Sequence, residues 1–218
     1  MADTKLTLEQ IETLITGYVD SPFYIRKNIV VPNVDWGFLN HEADLLVMSK
    51  ARCLTEVEIK RTWSDFMADF KKKHTHYDPK LSHFYYAVPW KIGEHVFHWL
   101  YEGTYKCDAR FIYYEHSTVT GYTEHNPHKC GLIIYASSEE VGVRGARIGG
   151  CCINVGATRM NKYKLSVDEE LKLLRLCGMR VWNLKKKLSL LQAKEQKKRE
   201  KKEYEIKVIN ETWPELFT

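Results

Sequence analysis

The chain has 218 residues, 44% of them apolar, and a net charge of +5. That apolar share supplies a sizeable core, and the length predicts one domain, or one domain with an appendage. No apolar run approaches the roughly eighteen residues of a membrane span, and the first residues are polar, so neither a span nor a signal peptide is expected and a cytoplasmic protein is.

The charge is unevenly placed. Ten Lys/Arg and four Glu fall between Lys185 and Lys207, which leaves everything outside that stretch at about minus one. Such a surplus suits a nucleic-acid partner, an acidic protein face or simply a solvated helix.

In chain order, Thr7 with Gln10 reads as a helix start, and Leu8, Ile11, Leu14, Ile15 and Tyr18 recur at helical spacing. Tyr24 to Val31, Glu42 to Met48 and Leu54 to Lys60 read as three strands joined by hairpins. The period then changes. Trp63, Phe66, Met67 and Phe70 predict a helix over Thr62 to Lys73 whose apolar stripe lies on the sheet as core. His83 to Val88 and Leu132 to Ala136 are two further buried strands. Between them, Trp90 to Lys129 reads as an aromatic, histidine-rich insertion with strand-like pieces at Glu94 to Tyr101 and Ala109 to Glu115.

Ser166 with Glu169 makes a capping box for a long helix with Leu171, Leu174, Val181, Leu184, Leu188 and Leu191 as its stripe, and Gly178 as a weak point. The organisation expected is a domain over 1–165, with the insertion at about 90–129, followed by 166–218, a helix packing on the domain and a basic extension. Trp213 to Phe217 reads as a docking end. The six cysteines lack any C-x-x-C pair and are expected reduced. His116, His125, His128 and Cys130 are weakly spaced as a zinc site, against loop and strand residues as the plainer reading.

Alternation on a strand places Glu56, Glu58 and Lys60 on one face, and Glu42 with Asp44 on one face of the preceding strand. Buried unpaired charges cost several kcal/mol each, so a cluster like this faces solvent, pairs internally or holds a metal. A wet hairpin with weak cross-strand pairs satisfies the alternation equally well. The wider pattern is Asp44, thirteen residues, Glu58, one residue, Lys60, then a helix.

That pattern, over His41 to Val47 and Thr55 to Lys60, resembles the PD-(D/E)XK, or restriction-endonuclease-like, nuclease superfamily, and the αβββαβ order over Leu6 to Val88 is similar too. Among its members it looks most like short phage and bacterial proteins akin to MmcB-like DNA repair proteins. The leading proline of the family motif is replaced by Ala43.

The resemblance implies a restriction-endonuclease-like α/β core with a central mixed sheet flanked by helices. It makes Asp44 and Glu58 metal ligands, joined by the backbone carbonyl of Ile59, and Lys60 the catalytic lysine. It adds a glutamate from the first helix, for which Glu12 is the better placed because it flanks the apolar face. Oxygen ligands of this kind suit Mg2+ or Mn2+. The implied activity is hydrolysis of DNA to 5′-phosphate and 3′-hydroxyl ends, in repair, recombination or phage DNA processing, with a homodimer among the expected assemblies.

Glu42 and Glu56 are either supports for these ligands or surface residues. Arg61, Ser64, Lys71, Lys72 and Lys73 are candidates for phosphate contact, although cations at a helix end are also explained by its dipole. Two other readings are a nuclease fold that binds or regulates without turnover, and a protein-interaction factor acting through the C-terminal helix.

Overall fold

The computed structural model describes residues 6–34, 37–72, 76–107, 117–140 and 149–212, with side chains as far as 204. It divides into two compact units, Met1–Leu176 and Cys177–Thr218.

The first unit is an α/β domain. Its elements are α1 (Leu8–Thr16), β1 (Ile29–Val34), β2 (Ala43–Met48), β3 (Leu54–Ile59), α2 (Trp63–Asp69), β4 (Leu81–Pro89), α3 (Trp90–Leu100), β5 (Tyr101–Thr104), β6 (Thr118–Tyr122), β7 (Gly131–Ala136), β8 (Gly150–Val155) and the start of α4 (Val167–Thr212). The αβββαβ order expected from the sequence is present. Six strands form one mixed sheet in the order β1-β2-β3-β4-β7-β8, and β5 with β6 makes a separate two-stranded ribbon. Strands β3, β4 and β7 are mutually parallel, while β1, β2 and β8 pair antiparallel with their neighbours.

Alternation sorts side chains to the two faces. Val57, Ile59, Tyr85, Ala87 and Ile133 pack with Ile11, Leu14 and Ile15 of α1. On the opposite face Phe84, Tyr86, Val88, Leu132 and Ile134 pack with Phe66 of α2 and Val96, Phe97 and Leu100 of α3. Glu56 and Glu58 pair in register with Phe84 and Tyr86, so they share the α2 face, inside a strand whose six residues are all buried.

Several expected boundaries move. The first helix stops at Thr16, where Gly17 caps it, with the Thr7–Gln10 capping box in place. Strand β1 begins at Ile29 and continues through Pro32, because it lies at the sheet edge where a missing N–H is tolerated. Helix α2 ends at Asp69, and Lys71 and Lys72 leave it in tight turns onto the carbonyls of Ala68 and Asp69. Of its predicted core stripe Phe66 is buried and Trp63 and Met67 are partly so, but Phe70 is 38% exposed.

The segment read as an insertion is the crossover that parallel β4 and β7 require. Glu94 to Tyr101 is largely the helix α3 rather than a strand: Gly93, Val96, Phe97 and Leu100 are its buried positions, at helical spacing. Ala109 to Glu115 lies outside the described residues. Strand β8 has no counterpart in the expected elements, since its Gly150, Cys151 and Cys152 give little β signal.

Helix α4 opens on the expected capping box, with Ser166 Oγ accepting from Glu169 N and Glu169 Oε2 accepting from Ser166 N. It runs through Gly178 as one helix, and the boundary between the two units falls beside that glycine. In its first turns the buried side chain is Leu173, while Leu171 and Leu174 of the expected stripe are exposed. Further along, within the second unit, Val181, Leu184, Leu188 and Leu191 are exposed. Trp213 to Phe217 lies outside the described residues. Among the described residues no helix is long and apolar enough to cross a membrane.

Candidate functional site

Strand pairing brings the expected trio together at one end of the sheet. Leu45 pairs with Val57, which sets Asp44 across from Glu58. The Asp44 carboxylate accepts the Ile59 N–H at 2.8 Å, tying the start of β2 to the end of β3. Lys60 follows directly. Its N–H donates to Ala87 O at 2.9 Å and its carbonyl accepts from the Tyr135 hydroxyl at 3.1 Å, so β4 and β7 hold its backbone.

Lys60 is 3% exposed and its ammonium sits between two carboxylates, donating to Glu58 Oε1 at 2.7 Å and to Asp69 Oδ1 at 2.9 Å. Burial alone would favour the neutral amine, but Glu58 and Asp69 outweigh it and keep Lys60 protonated above its ordinary range.

Asp69 belongs to α2, where it shares a face with Phe66 three residues earlier. Besides Lys60 it accepts from Lys72 at 2.6 Å, His76 Nε2 at 2.6 Å and the Tyr86 hydroxyl at 3.0 Å. Burial pushes its carboxyl up, and the bonds from His76 and Lys72 hold it well below the usual carboxylate range. His76 Nδ1 in turn bonds Glu56 Oε1 at 2.8 Å, and the other Glu56 oxygen meets His41 Nε2 at 2.7 Å. Despite burial, these bonds to Asp69 and Glu56 push His76 up to about 10, which makes it an imidazolium. Burial also opposes the charge on Glu56, and His41 and His76 overcome it to lower its pKa. The result is a continuous buried chain of hydrogen-bonded polar groups, His41–Glu56–His76–Asp69–Lys60–Glu58.

Glu56 is therefore fully buried between His41 and His76, whereas Glu42 is exposed. Asp69 and His41 carry no sequence expectation of a role. For Asp69 a signal existed: it is a carboxylate on the apolar face of a helix.

The carboxyls of Asp44, Glu58 and Glu12 are shifted the opposite way to those of Asp69 and Glu56. Burial raises Asp44, despite the Ile59 N–H and the nearby Lys60 and Lys72 charges. Glu58 is raised by burial and then by Asp44. Glu12 of α1, which accepts from the Asn33 amide at 3.4 Å, is pushed up to about 7 by burial, by Glu9 and by Asp44. Asp44 is thus a charge neighbour of both Glu58 and Glu12. Among the described residues two buried groupings have donor atoms close enough to share an ion, His41–Glu56–His76 and Glu58–Asp69–His76, but these atoms are already bonded, Glu56 to both histidines, Asp69 to His76, and Glu58 and Asp69 to the Lys60 ammonium.

The predicted phosphate contacts divide. Arg61 is exposed and its guanidinium donates to Leu6 O at 3.0 Å. Ser64 is exposed beside the Thr62 hydroxyl, and Lys71 is exposed. Lys72 is half-exposed and spends its charge on Asp69, with Glu58 Oε1 3.8 Å away. Lys73 lies outside the described residues. A cavity of about 150 Å³ opens beside the network, with Asp69, Lys72, His76, His125 and Asn126 in its wall.

The zinc spacing is not realised as a cluster among the described residues. His125 stacks on Trp99 at 3.9 Å and His128 on Tyr77 at 5.6 Å, while His116 lies outside them. All six cysteines are outside any disulfide.

No protein-family model matches the chain, and no curated protein does. Among solved structures, a protein of unknown function from Silicibacter pomeroyi is similar at 13% identity with a TM-score of 0.46, over 82% of this chain and 88% of that one. A likeness at that level has no bearing on function.

Proposed function

We propose that this chain is a metal-dependent nuclease that hydrolyses phosphodiester bonds of DNA, as its resemblance to the PD-(D/E)XK superfamily implies. The observation that carries the reading is the position of Asp44, close to both Glu58 and Glu12, with all three carboxyls raised and the Lys60 ammonium alongside. Carboxylates held close against their own repulsion form a donor set that a hard divalent cation relieves.

Asp44, Glu58 and the Ile59 carbonyl would hold Mg2+ or Mn2+, with Glu12 nearby; when bound, the ion supplies a Lewis acid and an acidified water. The chain's own contribution is positional. Asp69 and Glu58 fix the Lys60 ammonium where negative charge develops on a phosphoryl group, and the exposed Arg61 and Lys71 take the phosphates on either side.

A second reading, a nuclease-like module that binds without turnover, is favoured by one specific observation. The Lys60 ammonium is buried and already bonded on two sides. The assay that separates the two uses labelled duplex, single-stranded and branched DNAs with Mg2+, Mn2+ or EDTA, on wild type, Asp44→Ala and Lys60→Ala. Cutting that needs the metal and falls by about 10²-fold or more in each variant is expected. Binding without metal-dependent cutting on every substrate transfers the conclusion to the second reading, and absence of both removes nucleic acid as the partner.

A further inference from the structure

Within the second unit, Cys177, Val181, Leu184, Leu188 and Leu191 follow one another at alternating steps of four and three residues along α4. That is the spacing with which a helix presents a seam to another helix. Val181, Leu184, Leu188 and Leu191 are 46%, 60%, 56% and 58% exposed. Four large apolar side chains in register, in the open, are a feature that soluble surfaces rarely keep without a partner.

The flanks of the seam identify the kind of partner. With Val181 taken as heptad position a, the g positions are Arg180, Lys187, Lys194 and Lys201, and the e positions after Gly178 are Lys185, Gln192 and Arg199. No acid occupies either. The acids of this stretch fall elsewhere, Glu200 and Glu203 on the outer face and Glu195 at the polar end of the seam. Charges at e and g face their counterparts across a coiled coil and set which helix pairs with which. A second copy of this chain would set cation against cation there in either a parallel or an antiparallel pair. Nucleic acid would engage the cations but leave the leucines in water.

We infer that α4 docks an amphipathic helix of another protein, one with an apolar heptad seam flanked by Asp and Glu. The inference is independent of any nuclease activity, since it uses no residue of the first unit.

The test uses the full chain and a fluorescent synthetic peptide of about four heptads with Ile at a, Leu at d and Glu at e and g, against a twin carrying Lys at e and g. Like charges keep each peptide from pairing with itself. The expected result is binding of the Glu peptide at least about ten-fold tighter than its Lys twin, weakening as salt rises. Leu184→Asp with Leu188→Asp should abolish it, and Lys185→Glu with Lys187→Glu and Lys194→Glu should invert the preference. Both sets lie on exposed positions, so an unchanged near-ultraviolet circular dichroism spectrum verifies that the first unit is intact. Equal affinity for the two peptides, binding of neither, a preference that survives the charge reversal, or self-association of the wild-type chain in sedimentation at micromolar concentration would each overturn the proposal. So would displacement of the Glu peptide by duplex DNA together with indifference to the Leu184 and Leu188 substitutions.

Discussion

At the scale of residues, Asp69 is the junction of the buried charges, accepting from Lys60, Lys72, His76 and Tyr86 at once. Asp69→Asn preserves its shape but removes the negative charge and turns one acceptor toward donors. A buried pair broken on one side typically costs about 3–5 kcal/mol, and a loss of that order in urea unfolding is the expected outcome. His76 makes the network sensitive to alkali. Its folded value of about 10 lies above its ordinary 6.5, so its contribution is complete below about pH 6.5 and is lost as pH rises through 10. Asp69, held low, gives the opposite limb: its contribution is present at neutral pH and disappears only in acid. Thermal midpoints of wild type should therefore fall between about pH 7 and 10, and His76→Gln should flatten that fall; an identical alkaline slope in the variant would refute the assignment. Period-two alternation places Glu58 and Lys60 on one face and Asp44 on the neighbouring strand, but a wet hairpin alternates in the same way, and only the resemblance to the nuclease motif singles out these three in the sequence. Asp69 and His76 reach the site only through the packing of α2 on the sheet, which the sequence does not encode at fixed spacing.

At the scale of elements, β2, β4 and β7 can be read from sequence because burial leaves them largely apolar, whereas β3, equally buried, carries Thr55, Glu56 and Glu58 and is read from its alternation. Helix α3 is obscured because its aromatic and β-branched residues carry strand propensity, although tertiary burial follows the helical period. Close approach, rather than composition, decides some positions. Gly131 opens β7 opposite Tyr85, and a Cβ there would collide with the Tyr85 ring and stand 2.7 Å from the backbone N of Ala157. Backbone cannot give way as a side-chain tip does. Gly131→Ala is predicted to destabilise by about 1–3 kcal/mol, read as a lower urea midpoint with an unchanged slope. A midpoint equal to that of wild type would mean that β7 is free to shift at its first residue.

At the scale of the molecule, charge and packing divide at the same place. The second unit, from Cys177 onward, holds eleven Lys/Arg and six Glu, so the chain's +5 resides there and the first unit is neutral by formal count. The surplus is plain in the sequence but the boundary is not, since a leucine stripe on a helix reads the same whether it awaits its own domain or another protein. The first unit contains both apolar clusters, the six-stranded sheet and the buried charge network. The second has exposed leucines, and a single helix of this kind owes its stability to local propensity and side-chain pairs, which gives a broad and weakly cooperative melt. The full chain should accordingly melt in two ways. Far-ultraviolet circular dichroism should decline gradually over a wide range before a sharp step, whereas the near-ultraviolet aromatic signal should show the sharp step alone. A chain ending at Leu176 retains buried Leu165 and Leu173, and its expected behaviour is the same sharp step within a few degrees, without the gradual phase. If the sharp midpoint instead drops by roughly ten degrees or more on truncation, the second unit stabilises the first, and the exposed stripe must be covered in solution by the chain's own domain rather than by a partner.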